Sequence, residues 1–324
     1  MNSSEEEIAT EIPGVIRVYK DGRVQRLIET DFVPPTTDPK TGVSSKDVTV
    51  IPEFNVSARL FLPKLANPTQ KLPLLVYFHG GAFCVASPFT RKYNSYLTAL
   101  VAEANVIAVA VNYRKSPEHP IPTAYEDSRD ALQWVVSHRN GDGPEPWLNH
   151  HANFERVFLG GESASANIAH NLAIVAGSPD FGLSLELLGV ALVHPYFWGS
   201  SPMGSETLNP SRKAIVDRLW PFLCPSNPDN DDPQVNSFAE DGPGLVGLGC
   251  QRVLVCVAEK DILKDRGWAY YESLGRSGWM CVVEIMETEG EDHGFHLYDL
   301  ESEKAQDLIR RLSAFYNRDM PLIF

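Results

Sequence analysis

Nowhere in these 324 residues do apolar side chains run unbroken for the roughly 18 positions that a bilayer-spanning helix needs, so no membrane span is expected. Basic residues are also scarce. The chain sets 28 Lys and Arg against 42 Asp and Glu, a formal charge of -14 that repels phosphate backbones and anionic lipid. Nucleic-acid and membrane partners are therefore excluded as expectations. Cysteine is sparse, with Cys84, Cys224, Cys250, Cys256 and Cys281 scattered and no C-x-x-C pair, so reduced core thiols are expected. Neither H-E-x-x-H nor any Cys/His group with zinc spacing occurs, and the adjacent His150 and His151 are assigned to a loop; no metal and no cofactor are implied. The start, with Glu5, Glu6 and Glu7, has neither the basic nor the apolar region of a leader, and a cytoplasmic protein is the expectation. Internal repeats and low-complexity tracts are absent too.

What the chain does have is alternation. From Leu74 onward, short β-rich apolar runs alternate with helix-patterned stretches, which predicts a mostly parallel, doubly wound sheet with helices on both faces. Strands are expected at about 74–78, 106–111, 156–159, 188–193, 253–257 and 282–286, and helices at about 92–104, 124–138, 164–176, 212–222, 267–277 and 303–316. Ahead of them, runs near 48–50 and 58–62 predict an antiparallel edge pair split by Pro52. Two stretches stand outside the pattern, about 1–45 and about 200–238. In such a sheet ligands bind beyond the carboxyl ends of the strands, so these stretches are expected to cap a site there, within one elaborated α/β domain.

Chemistry concentrates at those strand ends. Gly161-Glu162-Ser163-Ala164-Ser165 follows the strand run Val157-Phe158-Leu159 and precedes a helical run, the strand, sharp turn and helix of a nucleophile elbow. Ser165 replaces the second small glycine expected there; it keeps a small side chain but loses easy access to positive φ. His79-Gly80-Gly81-Ala82 likewise follows a strand, and its glycines let backbone N–H groups turn inward. The expected oxyanion donors are Gly80, Gly81 and Ala164. A serine needs a base and the base an orienting carboxylate. Asp261 follows the strand at 253–257 and His293 follows that at 282–286, so these are the expected partners of Ser163.

Rivals have plainer readings. Asp265 suits a helix N-terminus, Asp292 adjoins the base and projects elsewhere, and His296 packs beside the next helix. His170 lies seven residues along the helix from Ser163, roughly 10 Å at 1.5 Å per residue, too far for proton transfer. The remaining histidines are given no strand end. Glu118 and His119 sit in a proline-locked loop, read as a buried ion pair or capping contact. Asp127 is read as a charge opening a helix, and Tyr196-Phe197-Trp198 as acyl pocket or aromatic core.

Taken together, these segments resemble the plant class I carboxylesterases of the hormone-sensitive-lipase-like branch of the α/β-hydrolases. The likeness is carried by residues 16–22 and 42–47, by Tyr77-Phe78-His79-Gly80-Gly81-Ala82-Phe83, by Pro117-Glu118-His119-Pro120, by the Ser163 elbow, by Ala258-Glu259-Lys260-Asp261 and by Glu291-Asp292-His293. It implies an α/β-hydrolase fold, a triad of Ser163, Asp261 and His293, an oxyanion hole from Gly80, Gly81 and Ala164, and no cofactor. Within the branch the chain looks close to 2-hydroxyisoflavanone dehydratases, some of which carry threonine at the position of Ser163. Two functions follow as expectations: hydrolysis of a small-molecule ester, or β-elimination from a flavonoid-like substrate. A third, hormone binding as in the similar gibberellin receptors, is disfavoured because those lack the triad histidine that His293 supplies here. Ala82, Ser165 and Lys115-Ser116 depart from the family pattern. A monomer or homodimer is expected.

Overall fold

The computed structural model describes residues 7–28, 31–178, 185–239 and 241–318. Three short strands come first, β1 (Ile8–Ile12), β2 (Ile16–Tyr19) and β3 (Val24–Arg26), paired in an antiparallel sheet of their own. Gly14 and Gly22 take the positive φ values, 74° and 86°, that the two tight connections require.

The main sheet contains β4 (Ser44–Ile51), β5 (Val56–Leu62), β6 (Leu72–Phe78), β7 (Ile107–Asn112), β8 (Ala152–Glu162), β9 (Leu187–Val193), β10 (Arg252–Ala258) and β11 (Val282–Thr288). Their order is β11-β10-β9-β8-β6-β7-β5-β4. Every pair from β7 to β11 along that order is parallel, whereas β5 runs antiparallel to both β7 and β4. The expected edge pair thus exists, hinged at a short 3-10 turn over Pro52–Phe54.

Parallel strands buried on both faces must be apolar on both faces. In β6, Leu74, Val76 and Phe78 pack into one core and Leu75 and Tyr77 into the other. The first core lies under α2 (Thr123–Val136), α4 (Ala164–Ala176) and α7 (Lys264–Arg276); the second lies under α1 (Arg91–Ala104) and α8 (Glu303–Asn317). A further short helix, α3 (Pro146–His151), carries His150 and His151 in its last turn rather than in a loop.

The helix expected over 212–222 is instead two, α5 (Pro210–Val216) and α6 (Leu219–Leu223). Pro221 is the cause, because its ring excludes the carbonyl of Asp217 four residues back; that carbonyl accepts a hydrogen bond from Asn230 Nδ2 at 3.0 Å. Four cysteines are buried as expected, but Cys281 is exposed just ahead of the edge strand β11. Among the described residues no helix is long and apolar enough to cross a membrane.

Candidate active site

β8 enters the elbow fully buried and leaves as α4, and Ser163 makes the turn with φ 58° and ψ -121°. A non-glycine residue in that region stores on the order of 1–3 kcal/mol. It is held by bonds on both sides: Ser163 N–H donates to Val193 O (2.9 Å), and Ser163 O accepts the N–H groups of Tyr196 (3.1 Å), Ala166 (3.1 Å) and Asn167 (3.4 Å). Gly161 is obligatory here because a Cβ on it would lie 2.3 Å from Ser165 O.

The strain expected from Ser165 is not found, since the positive φ falls on Ser163 and Ser165 is helical. Its hydroxyl knits the elbow to the neighbouring strand. Ser165 Oγ lies 2.6 Å from Phe78 O and 2.8 Å from Glu162 O, and accepts Glu162 N–H at 3.1 Å. The other departure, Ala82, does take a positive φ of 53°, followed by Phe83 at 56°.

The loops after β10 and β11 deliver the partners. Asp261 is 2% exposed and its Oδ1 accepts Leu263 N–H at 3.0 Å, which fixes the carboxylate at the start of α7. His293 Nδ1–H donates to Asp261 Oδ2 at 2.6 Å, and His293 Nε2 lies 2.9 Å from Ser163 Oγ. The three side chains that the sequence placed at separate strand ends therefore form one continuous chain of hydrogen bonds. Lys260 N–H donates to Glu291 O (2.8 Å), so the two loops are also tied through their backbones.

Electrostatics follow from this arrangement. Burial opposes the charge on Asp261, but the facing imidazole and the hydrogen bonds hold its carboxyl below the usual range. Burial likewise opposes an imidazolium at His293; the Asp261 carboxylate, and after it Glu162, outweigh that and raise the ring to about 9.

Ser163 and His293 sit where two cavities meet. One, about 300 Å³, is lined by Val15, Ile28, Gly81, Ala82, Lys92 and Tyr298 among others. The second, about 280 Å³, is mostly aliphatic, with Ile12, Pro13, Ile215, Val216, Leu219 and Leu263 in its wall beside Tyr196 and Arg212. Both stretches that stood outside the alternation supply residues to these walls. Amide N–H groups of Gly80, Gly81, Ala82 and Ala164 have no protein acceptor among the described residues. Gly81 and Ala82 line the cavity with Ser163, whereas Gly80 is backed against Glu162, whose Oε2 would lie 2.0 Å from a Cβ there.

The rivals are accounted for by other bonds. Asp292 is bonded to its own following N–H, that of His293 (2.8 Å), and to Arg212 Nη2 (3.1 Å). Asp265 accepts Ser205 N–H at 2.6 Å. His170 Nδ1 meets Tyr270 Oη at 3.0 Å, and burial pushes that ring down to about 3. His296 is buried in the helical turn beyond His293. Glu118 does form an ion pair, with Arg26 at 2.7 Å, but an exposed one, because the loop edge faces solvent. Asp127 is not at the opening of α2; it is buried in the helix and grips Arg114 at 2.7 Å. Of the aromatic trio, Tyr196 lines the aliphatic cavity while Phe197 and Trp198 are core.

Two residues escaped the sequence reading. His194 follows β9 directly, so it does have a strand end; its Nδ1 accepts Gly294 N–H at 3.1 Å and its ring lies 5.6 Å from that of His293. Burial holds it neutral, a prop for the His293 loop. His194, Asp261 and His293 bring ligand-type atoms within 4.8 Å of one another, but Asp261 and His293 are spent on each other. The second is Glu162, whose Oε1 lies 3.5 Å from His293 Nε2. Its signal was its place beside the serine at the carboxyl end of β8.

A parallel sheet with a serine elbow, an acid and a histidine on its carboxyl rim defines an α/β-hydrolase, and residues 75–297 match the alpha/beta hydrolase fold family. This chain belongs to that family. It is 46% identical over 318 residues to a probable carboxylesterase of Arabidopsis thaliana, covering 98% of this chain and 99% of the relative. It is also 45% identical to a 2-hydroxyisoflavanone dehydratase of Glycyrrhiza echinata, covering 97% of each. Among solved structures, an esterase of Pyrobaculum calidifontis aligns with a TM-score of 0.70 and 26% identity over 84% of each chain.

Proposed function

We propose that this protein is a serine carboxylesterase that hydrolyses small-molecule carboxylic esters through an acyl-enzyme on Ser163. The observation that carries the proposal is the unbroken path Ser163 Oγ to His293 Nε2 (2.9 Å) and His293 Nδ1 to Asp261 Oδ2 (2.6 Å). With the imidazole neutral, His293 takes the Ser163 proton as Oγ attacks the ester carbonyl. Asp261 fixes the ring and stabilises the imidazolium. The carbonyl oxygen becomes an oxyanion, for which the proposed donors are the N–H groups of Gly81, Ala82 and Ala164; Gly80 makes room for Glu162. His293 then protonates the leaving alkoxide, and a water attacks the acyl group by the same route in reverse. The family relatives named carboxylesterases support this reading.

A second reading is supported by the dehydratase relative of nearly equal identity. His293 would remove a proton next to a carbonyl, the enolate oxygen would rest on the same amides, and as the enolate collapses the protonated His293 would return that proton to the departing β-hydroxyl, which leaves as water. The two differ in their need for Ser163. Turnover of 4-nitrophenyl butyrate and mass-spectrometric labelling of Ser163 by an organophosphonate test the first. Ser163→Ala is expected to lower ester kcat by a factor on the order of 10⁴ to 10⁶. A Ser163→Ala protein that still dehydrates 2-hydroxyisoflavanone at the wild-type rate would establish the second. Cytoplasmic residence, checked with a fluorescent fusion, and a monomer or homodimer, checked by light scattering, complete the proposal.

A further inference from the structure

We propose that Glu162 is a second carboxylate for His293, a positioning residue that faces the Nε2 edge of the ring as Asp261 faces the Nδ1 edge and stabilises the imidazolium during turnover. The proposal rests on the esterase reading above and extends it by one charge.

Placement is the first argument. Glu162 closes β8 and is 3% exposed, so its carboxylate must be paired to be tolerated there. Oε2 accepts the Tyr93 hydroxyl at 2.6 Å, and Oε1 lies 3.5 Å from His293 Nε2. Space for it is made by Gly80, where a Cβ would fall 2.0 Å from Oε2, and Gly294 of the histidine loop lies alongside Oε1. The carboxylate therefore fills the notch between the loop after β6 and the histidine loop. Tyr93 satisfies one oxygen and leaves the other for the ring.

The second argument is charge. His293 is faced by Asp261 after β10, by Glu162 from β8, by Asp292 from its own loop, by His194 after β9 and by His296 just beyond it. Burial keeps both neighbouring histidines neutral, His296 at about 3 and His194 well below its ordinary value. Asp292 is engaged by Arg212. Tyr93, Tyr77 and Tyr113, which face Glu162 from α1, β6 and beyond β7, are all pushed up by burial and stay neutral. The charges left in contact with the ring are thus Asp261 and Glu162, one at each nitrogen. Burial raises the Glu162 carboxyl while His293 pulls it down, so each member of the pair favours the charged form of the other.

Removing the Glu162 charge then has two effects of opposite sign. The imidazole of the free enzyme loses its proton more readily, so the base is neutral at lower pH. The imidazolium formed when Ser163 Oγ–H transfers its proton to Nε2 loses a stabilising neighbour, so the maximal rate falls. A merely structural role would lower the rate without moving the pH dependence.

The test is kcat/KM for 4-nitrophenyl butyrate from about pH 6 to about pH 10, with NMR titration of the His293 ring alongside, for the full-length wild type, Glu162→Gln, Glu162→Asp and Tyr93→Phe. Gln keeps the size and the acceptor for Tyr93. Its acid limb and ring pKa are expected to move down by about one pH unit and its plateau to fall about tenfold. Asp, with the charge but a shorter reach, is expected in between, and Tyr93→Phe to shift the same way by less. A Glu162→Gln ring pKa and acid limb that coincide with wild type overturn the proposal, whatever the plateau. If that variant does not fold, unmoved His293 titrations in both Glu162→Asp and Tyr93→Phe overturn it equally. Failure of the esterase reading shows differently, as a wild type with no turnover and no phosphonate label, and the NMR titration still decides the role of Glu162.

Discussion

The rim of the main sheet and the segments proposed to cover it, which supply residues to the cavity walls, are built by different means. Ser163, Asp261 and His293 issue from β8, β10 and β11, and β8 and β10 are locked between parallel neighbours on both sides. The covering segments have short strands and helices, with Ile8 42% and Ile215 38% exposed. They bury Ile12, Ile16, Trp220, Leu223 and Val235 in the main core and add polar contacts such as Arg26 to Glu118, Arg212 to Asp292, Ser205 to Asp265, and the buried Arg266 to Glu206 at 2.6 Å. The proposed chemistry therefore rests on an interior whose register cannot slip, while the proposed substrate shape is set by peripheral segments packed onto that interior. Changes at the rim are expected to act on the maximal rate, and changes in the cover on which substrate is used.

The strongest break of that comparison comes from the rim. Asp261→Asn keeps the shape of the residue but removes the charge that orients and stabilises His293. A fall in kcat on the order of 10³ to 10⁴, with KM nearly unchanged, is expected in steady-state kinetics with 4-nitrophenyl butyrate. A large rise in KM instead would mean that Asp261 shapes the cavity.

Next comes pH. The His293 ring is raised to about 9, and the base must be neutral to act. The wild-type kcat/KM is accordingly expected to climb about tenfold per pH unit below that value and to level off above it. An acid limb centred near the ordinary histidine value would show that the two carboxylates do not reach the ring in solution.

The cover is tested by filling one arm of the cavity. Ile215 is on α5, partly exposed, and in the wall of the aliphatic cavity, so a larger side chain there costs the core little. Ile215→Trp is expected to lower the ratio of kcat/KM for 4-nitrophenyl octanoate over 4-nitrophenyl acetate by about 10- to 100-fold, with acetate turnover preserved. Equal losses on both substrates would place α5 in the chemistry and erase the distinction between the regions.

How much of each region could be read in the sequence follows the same division. The central strands were legible because parallel strands must be apolar on both faces, and with them the positions of Ser163, Asp261 and His293. The β1-β2-β3 sheet was not, although Asp21-Gly22 between alternating runs is a hairpin signal; strands of three to five residues with mostly polar neighbours give too little periodicity. Pro221 breaks the helix expected over 212–222 into α5 and α6. The strand-end positions of His194 and Glu162 were visible, but not their partners. Their roles depend on what the turn after β9 and the notch beside Gly80 face in space, which no local pattern encodes.

The smallest expected effect concerns the attachment of the cover. Arg26 ends β3, and its guanidinium meets Glu118 through two nitrogens (3.0 and 2.7 Å), Cys84 O (2.7 Å) and Ser116 O (3.3 Å). One side chain thus joins the small sheet to the loops after β6 and β7, two residues before Ile28 in the cavity wall. The Glu118 carboxyl is held below its ordinary value, first by the Arg26 hydrogen bond, so the pair persists through neutral and mildly acidic pH. Exposed pairs contribute about 0–1 kcal/mol, and this one, bidentate with two carbonyls added, lies at the top of that range or a little above. Arg26→Ala is therefore expected to leave the thermal midpoint within a few degrees of wild type and kcat nearly unchanged, while KM rises about two- to fivefold as Val15 and Ile28 lose their fixed position. A kcat that falls as much as kcat/KM would mean that the cover orders the rim as well as the substrate, and the two regions would have to be treated as one.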